Sequence, residues 1–114
     1  MDFKYDKSVV EKVRAVSSKF DEKYWRDVYG KHEFPHEYWD AIADAGLFGL
    51  VISQEYGGWG KSLLDLAIGT AETAERFSGI GSYLFLSGCL VSTIFSKSSK
   101  DQKKEILPKL AKGE

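Results

Sequence analysis

Hydrophobic residues recur along this chain at helical spacing. Val9, Val13, Val16, Phe20 and Tyr24 step by four, three, four and four, which places them on one stripe of a 3.6-residue period over residues 8–29. Val10, Trp25 and Val28 widen the stripe, and Gly30 stands where such a helix would stop. A second helix is predicted over 35–45. Pro35 suits a first helical position, Trp39, Ile42 and Ala45 form the apolar stripe, and Gly46 occupies the place of a left-handed cap. Leu47-Phe48-Gly49-Leu50-Val51-Ile52 is a short apolar run, read as a buried extended connection. A loop over 53–60 follows, with glycines at 57, 58 and 60. Ser62 and Asp65 have the form of a capping box with Asp in place of Glu. They open a third predicted helix reaching Phe77, with Leu63, Leu66, Ala67, Ala71 and Ala74 as its inner face.

Residues 77–96 carry no charged group. Their length is near the roughly 18–20 residues of a membrane span. Gly79, Gly81 and Gly88, with six serines and threonines, interrupt the run, and amphipathic helices are at hand to cover it. The segment 79–95 is therefore read as the apolar central helix of a bundle, with no membrane span. Ser99 and Gln102 form another capping box, opening a last helix with Ile106, Leu107, Leu110 and Ala111 on its apolar side. Pro108 is expected to break or kink it near Leu107. The pattern predicts an all-α fold, an up-down bundle of about five helices, with residues 1–114 as one domain.

Charge sharpens this picture. The 114 residues hold 16 Lys and Arg against 17 Asp and Glu, which supplies no basic excess for a nucleic-acid backbone. The distribution is uneven. Residues 1–96 carry ten basic and fourteen acidic groups, whereas 97–114 carry six lysines against three acids. That tail reads as the solvated face of the last helix. A single cysteine excludes an internal disulfide. The first residues lack the apolar core of a signal peptide, so a reducing, cytoplasmic setting is expected.

Three short motifs invite chemistry and fail on their own terms. His32-Glu33-Phe34-Pro35-His36 matches the zinc-protease pattern, but that pattern needs both histidines on one helix, and Pro35 prevents this. No metal site is expected. Gly60-Lys61-Ser62 resembles the end of a phosphate-binding loop, yet the position of that loop's first glycine is Glu55, whose carboxylate would repel phosphate. Cys89 lies in the charge-free run with no cation to stabilise a thiolate, and is read as a buried small hydrophobe.

Five segments taken in order do carry a resemblance. They are Phe34-Pro35, Leu47-Phe48-Gly49-Leu50, Glu55-Tyr56-Gly57-Gly58-Trp59-Gly60, Ser62-Leu63-Leu64-Asp65, and the final stretch from Gln102-Lys103-Lys104-Glu105 through Ile106-Leu107-Pro108 to Gly113-Glu114. Together the chain resembles the N-terminal helical domain of the acyl-CoA dehydrogenase family. The resemblance implies a flavoenzyme with a middle β-domain and a C-terminal helical domain that lie outside this sequence. It implies FAD held mainly by those domains. A carboxylate base, also outside this sequence, would remove the α-proton of an acyl-CoA thioester while the flavin accepts the β-hydride. It further implies an electron-transfer partner and a homo-oligomer for the full-length enzyme.

In such a protein the helix over 79–95 lines the acyl chain. Gly79, Tyr83, Leu86, Ser87 and Leu90 share one broad face of it and are the candidate substrate-binding residues. Tyr56, Gly57 and Gly58 are expected to fix their loop against the middle domain. No catalytic residue is expected within residues 1–114, so the chain reads as a truncated, inactive piece of the enzyme. The alternative is a non-enzymatic helical interaction module on the same scaffold.

Overall fold

The computed structural model describes residues 4–76 and 81–114. Among them the fold is all-α, as the periodicity predicts. Six α-helices run in order: α1 (Lys7–Ser17), α2 (Glu22–Lys31), α3 (His36–Asp44), α4 (Leu63–Arg76), α5 (Gly81–Lys97) and α6 (Lys100–Ala111). Two short 3-10 turns, Leu47–Gly49 and Gln54–Tyr56, lie between α3 and α4.

The first predicted helix is in fact two. Asp21 starts α2 by accepting a hydrogen bond from the Tyr24 N–H at 2.9 Å. Phe20, just before that cap, lies 6.3 Å from Trp25 in the manner of a hydrophobic staple, and also packs on Tyr24 and Tyr38. The apolar stripe crosses the break because Val16, Phe20 and Tyr24 all face the same core. Gly30 is not the stop. It stays inside α2, and His32 takes the left-handed cap at φ 55°. At the end of α3 Gly46 does take that role, at φ 74°.

Among the described residues two hydrophobic clusters form. Val9, Val13, Trp25, Tyr38, Ile42 and Leu47 are among the residues of the first, at the junction of α1, α2 and α3. Ile52, Tyr56, Val91, Leu107 and Ala111 form the second, between the 52–56 segment, α5 and α6. The run 47–52 bridges them, with Leu47, Phe48 and Leu50 in one and Ile52 in the other. It is buried as expected, but it is coiled into a 3-10 turn and not extended. Its carbonyls are satisfied by the returning loop: Trp59 N–H donates to Gly49, Gly60 N–H to Ile52 and Lys61 N–H to Leu50, at 2.7–2.9 Å. This return requires glycine at 58, where an added Cβ would lie 2.1 Å from the Ile52 carbonyl oxygen.

The buried side of α4 differs from expectation. Leu66 is buried, but Leu63, Ala67 and Ala71 are exposed; Asp65, Gly69 and Thr73 face inward instead. Close packing explains it. Gly69 lies under Val9 and Val13 of α1, and Leu66 meets the backbone of α5 at Gly88. Asp65, 7% exposed, completes the capping box. It accepts from the Ser62 N–H at 3.0 Å and hydroxyl at 2.7 Å, while the Ser62 hydroxyl accepts from the Asp65 N–H. Its other oxygen accepts from the Asp6 N–H at 2.7 Å.

The described half of α5 is not enclosed on all sides. Gly88 and Val91 are buried, whereas Cys89, Leu90, Thr93, Phe95 and Ser96 are exposed. Cys89 is thus no core residue, because α4 and α6 cover only one edge of the helix here. Helix α6 begins at the predicted capping box of Ser99 and Gln102, and it continues through Pro108 to Ala111. The proline removes one backbone donor near the helix end, where Leu107 and Ala111 remain buried in the second cluster and hold the last turn in place.

Gly58→Ala is expected to destabilise the chain by about 2–3 kcal/mol, because the new methyl group meets fixed backbone. Gly30→Ala, with open space around its Cβ, is expected to stabilise it by about 0.5 kcal/mol through helix propensity. Urea unfolding of both variants checks the pair.

Acid should loosen the α1–α4 junction. Burial opposes the charge on Asp65, but the hydrogen bonds from Asp6 and Ser62 outweigh it and hold its carboxyl below the ordinary 3.8. The Lys61 ammonium, then Ser8, hold Asp6 well below that value too. Both folded-state pKa values are depressed, so their stabilisation is present above about pH 4 and is lost as pH falls further. Circular-dichroism melts should show a nearly constant midpoint from pH 7 to 5 and a decline below about pH 4. Asp65→Asn should lower the neutral midpoint and make the acid decline shallower.

Candidate functional site

The capping box at Ser62 and Asp65 fixes where α4 begins, and the loop's return along 49–52 fixes where Gly60 and Lys61 lie. Between this segment and the C-terminal half of α5 runs an open groove of about 430 Å³. Its walls include Val51, Leu63, Val91 and Phe95, with Ser53, Gly60 and Lys61 at the loop side. Leu63 is 72% exposed and Phe95 43%. Phe95 is steadied by Tyr56, whose ring centroid is 6.3 Å away, and by the Lys103 ammonium 4.5 Å above its ring.

This is a surface for apolar contact. Lys61 is its one titratable residue among the described residues, and that ammonium is paired with Asp6, which raises its pKa above the ordinary lysine value. Among the described residues no acid–base pair faces the groove. Gly60-Lys61-Ser62 spends its lysine on Asp6 and its serine on Asp65.

Other candidates stay apart. His32 caps α2 and His36 opens α3, so the two histidines share no helix, as Pro35 predicted. No group of three His, Cys, Asp or Glu able to hold a metal occurs among the described residues. No helix of the described residues is long and apolar enough to cross a membrane. A second, more polar groove of about 350 Å³ lies between α2 and α3, lined by Tyr24, Asp27, Lys31 and Glu37 among others.

Of the sequence-predicted substrate residues, Gly79 lies outside the described residues, as do the side chains of Tyr83, Leu86 and Ser87. Leu90 is 55% exposed on α5. It is next to Val91 in sequence and therefore about 100° round the helix from the groove wall. Tyr56 turns its ring into the second hydrophobic cluster, while Gly57 is exposed at φ 86°. The sequence reading missed Leu63 and Phe95 as exposed groove residues. The signal was present for Leu63: it directly follows the cap serine, on the first turn, where the inward side is taken by Asp65 and Leu66.

Among the described residues, helices support an exposed apolar groove. The comparisons are specific about the family. The acyl-CoA dehydrogenase N-terminal domain family matches residues 5–114, and the chain belongs to that family. It is 33% identical over 110 residues to (2S)-methylsuccinyl-CoA dehydrogenase of Cereibacter sphaeroides, covering 92% of this chain and 20% of that protein. It is 32% identical over 83 residues to acryloyl-CoA reductase (NADH) of Anaerotignum propionicum, covering 73% and 21%. Acyl-CoA dehydrogenase FadE12 of Mycobacterium tuberculosis is 33% identical over 107 residues, covering 88% and 26%. The chain thus spans between a fifth and about a quarter of the length of these relatives.

The exposed apolar residues predict a measurable property. The folded chain should bind the dye ANS and associate at high concentration, by fluorescence and light scattering. Leu63→Glu combined with Leu90→Glu should reduce both while changing stability by less than about 1 kcal/mol, since both side chains are exposed.

Proposed function

We propose that this chain is the acyl-side domain of an FAD-dependent acyl-CoA dehydrogenase, which forms the α,β double bond of an acyl-CoA thioester. The observation that carries this reading is the family match over residues 5–114, joined by relatives that are named for CoA thioesters. In this reading Gly79, Tyr83, Leu86, Ser87 and Leu90 present one face of α5 and its N-terminal approach to the acyl chain. The exposed position of Leu90 supports it. Leu86 and Leu90 supply apolar contact, Gly79 leaves space, and Tyr83 limits the depth of the cavity. The exposed edge of the 54–60 loop, around Gly57, docks on the rest of the enzyme, while Tyr56 anchors that loop from within.

FAD supplies hydride acceptance in such an enzyme. The residues described here do not suit it: Lys61 and Ser62 are already engaged, and the groove is apolar. In this reading, as the family resemblance implies, the flavin and the catalytic carboxylate are assigned to other parts of the enzyme, together with the contacts to an electron-transfer partner and to neighbouring subunits.

Two measurements test the reading. In the intact enzyme, Tyr83→Ala should shift kcat/KM toward longer or bulkier acyl-CoA by about tenfold, the scale of one to two methylenes of apolar contact. An unchanged ratio across a chain-length series removes Tyr83 from the pocket. The 114-residue chain alone should bind no FAD and reduce no artificial electron acceptor with acyl-CoA; stoichiometric flavin on it would overturn the assignment of the cofactor to other domains.

A further inference from the structure

The geometry points to residues 4–8 acting as a strap that sets the conformation of the groove lip at residues 60–63. The strap is tied at Asp6. Its N–H donates to Asp65 Oδ1 at 2.7 Å, one carboxylate oxygen caps α1 by accepting the Ser8 N–H at 2.9 Å, and the other takes the Lys61 ammonium. Asp65 Oδ2 accepts from both the N–H and the hydroxyl of Ser62. Each carboxylate thus spends one oxygen on capping its own helix start and the other on joining the two starts, which lie more than fifty residues apart in sequence.

The lip is held from both sides. Its backbone is fixed from within by the Lys61 N–H, which donates to the Leu50 carbonyl at 2.9 Å. Its Lys61 side chain is fixed from outside by the strap. Gly60, Lys61 and Leu63 are groove residues, so undocking the strap frees one wall of the groove. Asp65 is buried, so losing the Asp6 N–H leaves one of its oxygens without its donor. About two turns further along α1, Arg14 grips Glu72 of α4 through two hydrogen bonds at 2.8 and 3.0 Å. That second tie keeps the rest of α1 on α4 when the first opens, so the strap moves with only the first turn of the helix. Because the coupling is a free energy shared by two sites, it works in both directions.

Amide hydrogen exchange on the 114-residue chain tests this, with the amides of 103–107 in α6 as the reference for global opening. In Asp6→Ala the amides of 61–66 should exchange roughly three- to tenfold faster relative to that reference, the range of one lost hydrogen bond. Arg14→Ala should leave that ratio unchanged. In Asp65→Asn, the amides of 6–10 should accelerate to a similar extent. Lys61→Met, a substitution at a partly exposed side chain that the fold tolerates, should accelerate 6–10 as well. The inference is overturned if 61–66 respond no more to Asp6→Ala than to Arg14→Ala, or if they rise only in step with 103–107. It is equally overturned if neither Asp65→Asn nor Lys61→Met reaches residues 6–10.

Discussion

The loop after the second 3-10 turn must pass within contact of the backbone it has just left, and the rest of the domain depends on that approach. Gly58 lies against Ile52, and the N–H groups of Trp59, Gly60 and Lys61 satisfy carbonyls on Gly49, Ile52 and Leu50. Without this pairing, a buried run with no helical or sheet partner would carry orphaned carbonyls. With it, residues 47–52 serve as the common wall of two hydrophobic clusters. Gly49 itself lies against Gly58 on one side and Ala111 on the other, so α6 is seated by the same small residues. The groove is a by-product of this arrangement, since the returning strand of loop supplies one of its sides.

The parts of the fold that follow local rules were legible. Both capping boxes, the left-handed Gly46 and the second helix follow from residue types at fixed offsets. The break between α1 and α2 was not read, because the apolar stripe keeps its phase across residues 17–21. The decisive cue is chemical and not periodic: Asp21 as a cap, with Phe20 and Trp25 stapled around it. The inner side of α4 was misjudged for a related reason. Leucine and alanine marked the expected face, but helix–helix distance was set by Gly69 and Gly88, which a hydrophobicity pattern scores as neutral. Pro108 shows the opposite error, a local rule overridden by the burial of Leu107 and Ala111.

The site was legible mainly as a family resemblance. Nothing in composition or spacing by itself marks a CoA thioester. What the fold does add is a separation of labour. Lys61 at the groove pairs with Asp6, and the neighbouring Ser62 bonds Asp65, so the charged and capping groups of the lip are engaged beside a mainly apolar surface.

The Trp39 indole N–H donates to the Gly113 carbonyl at 3.0 Å, joining positions 74 residues apart. Gly113 is left-handed, and an added Cβ there would touch Ala43 and Phe48, so the turn after α6 is lodged against α3 and the first 3-10 turn. Helices such as α2 form from contacts a few residues apart, whereas this closure must gather residues distant in sequence. The order of assembly is thereby written into the fold. During folding α1 to α3 can collapse early around Trp25 and Tyr38, while the hollow that Gly113 fills stays vacant until α6 docks.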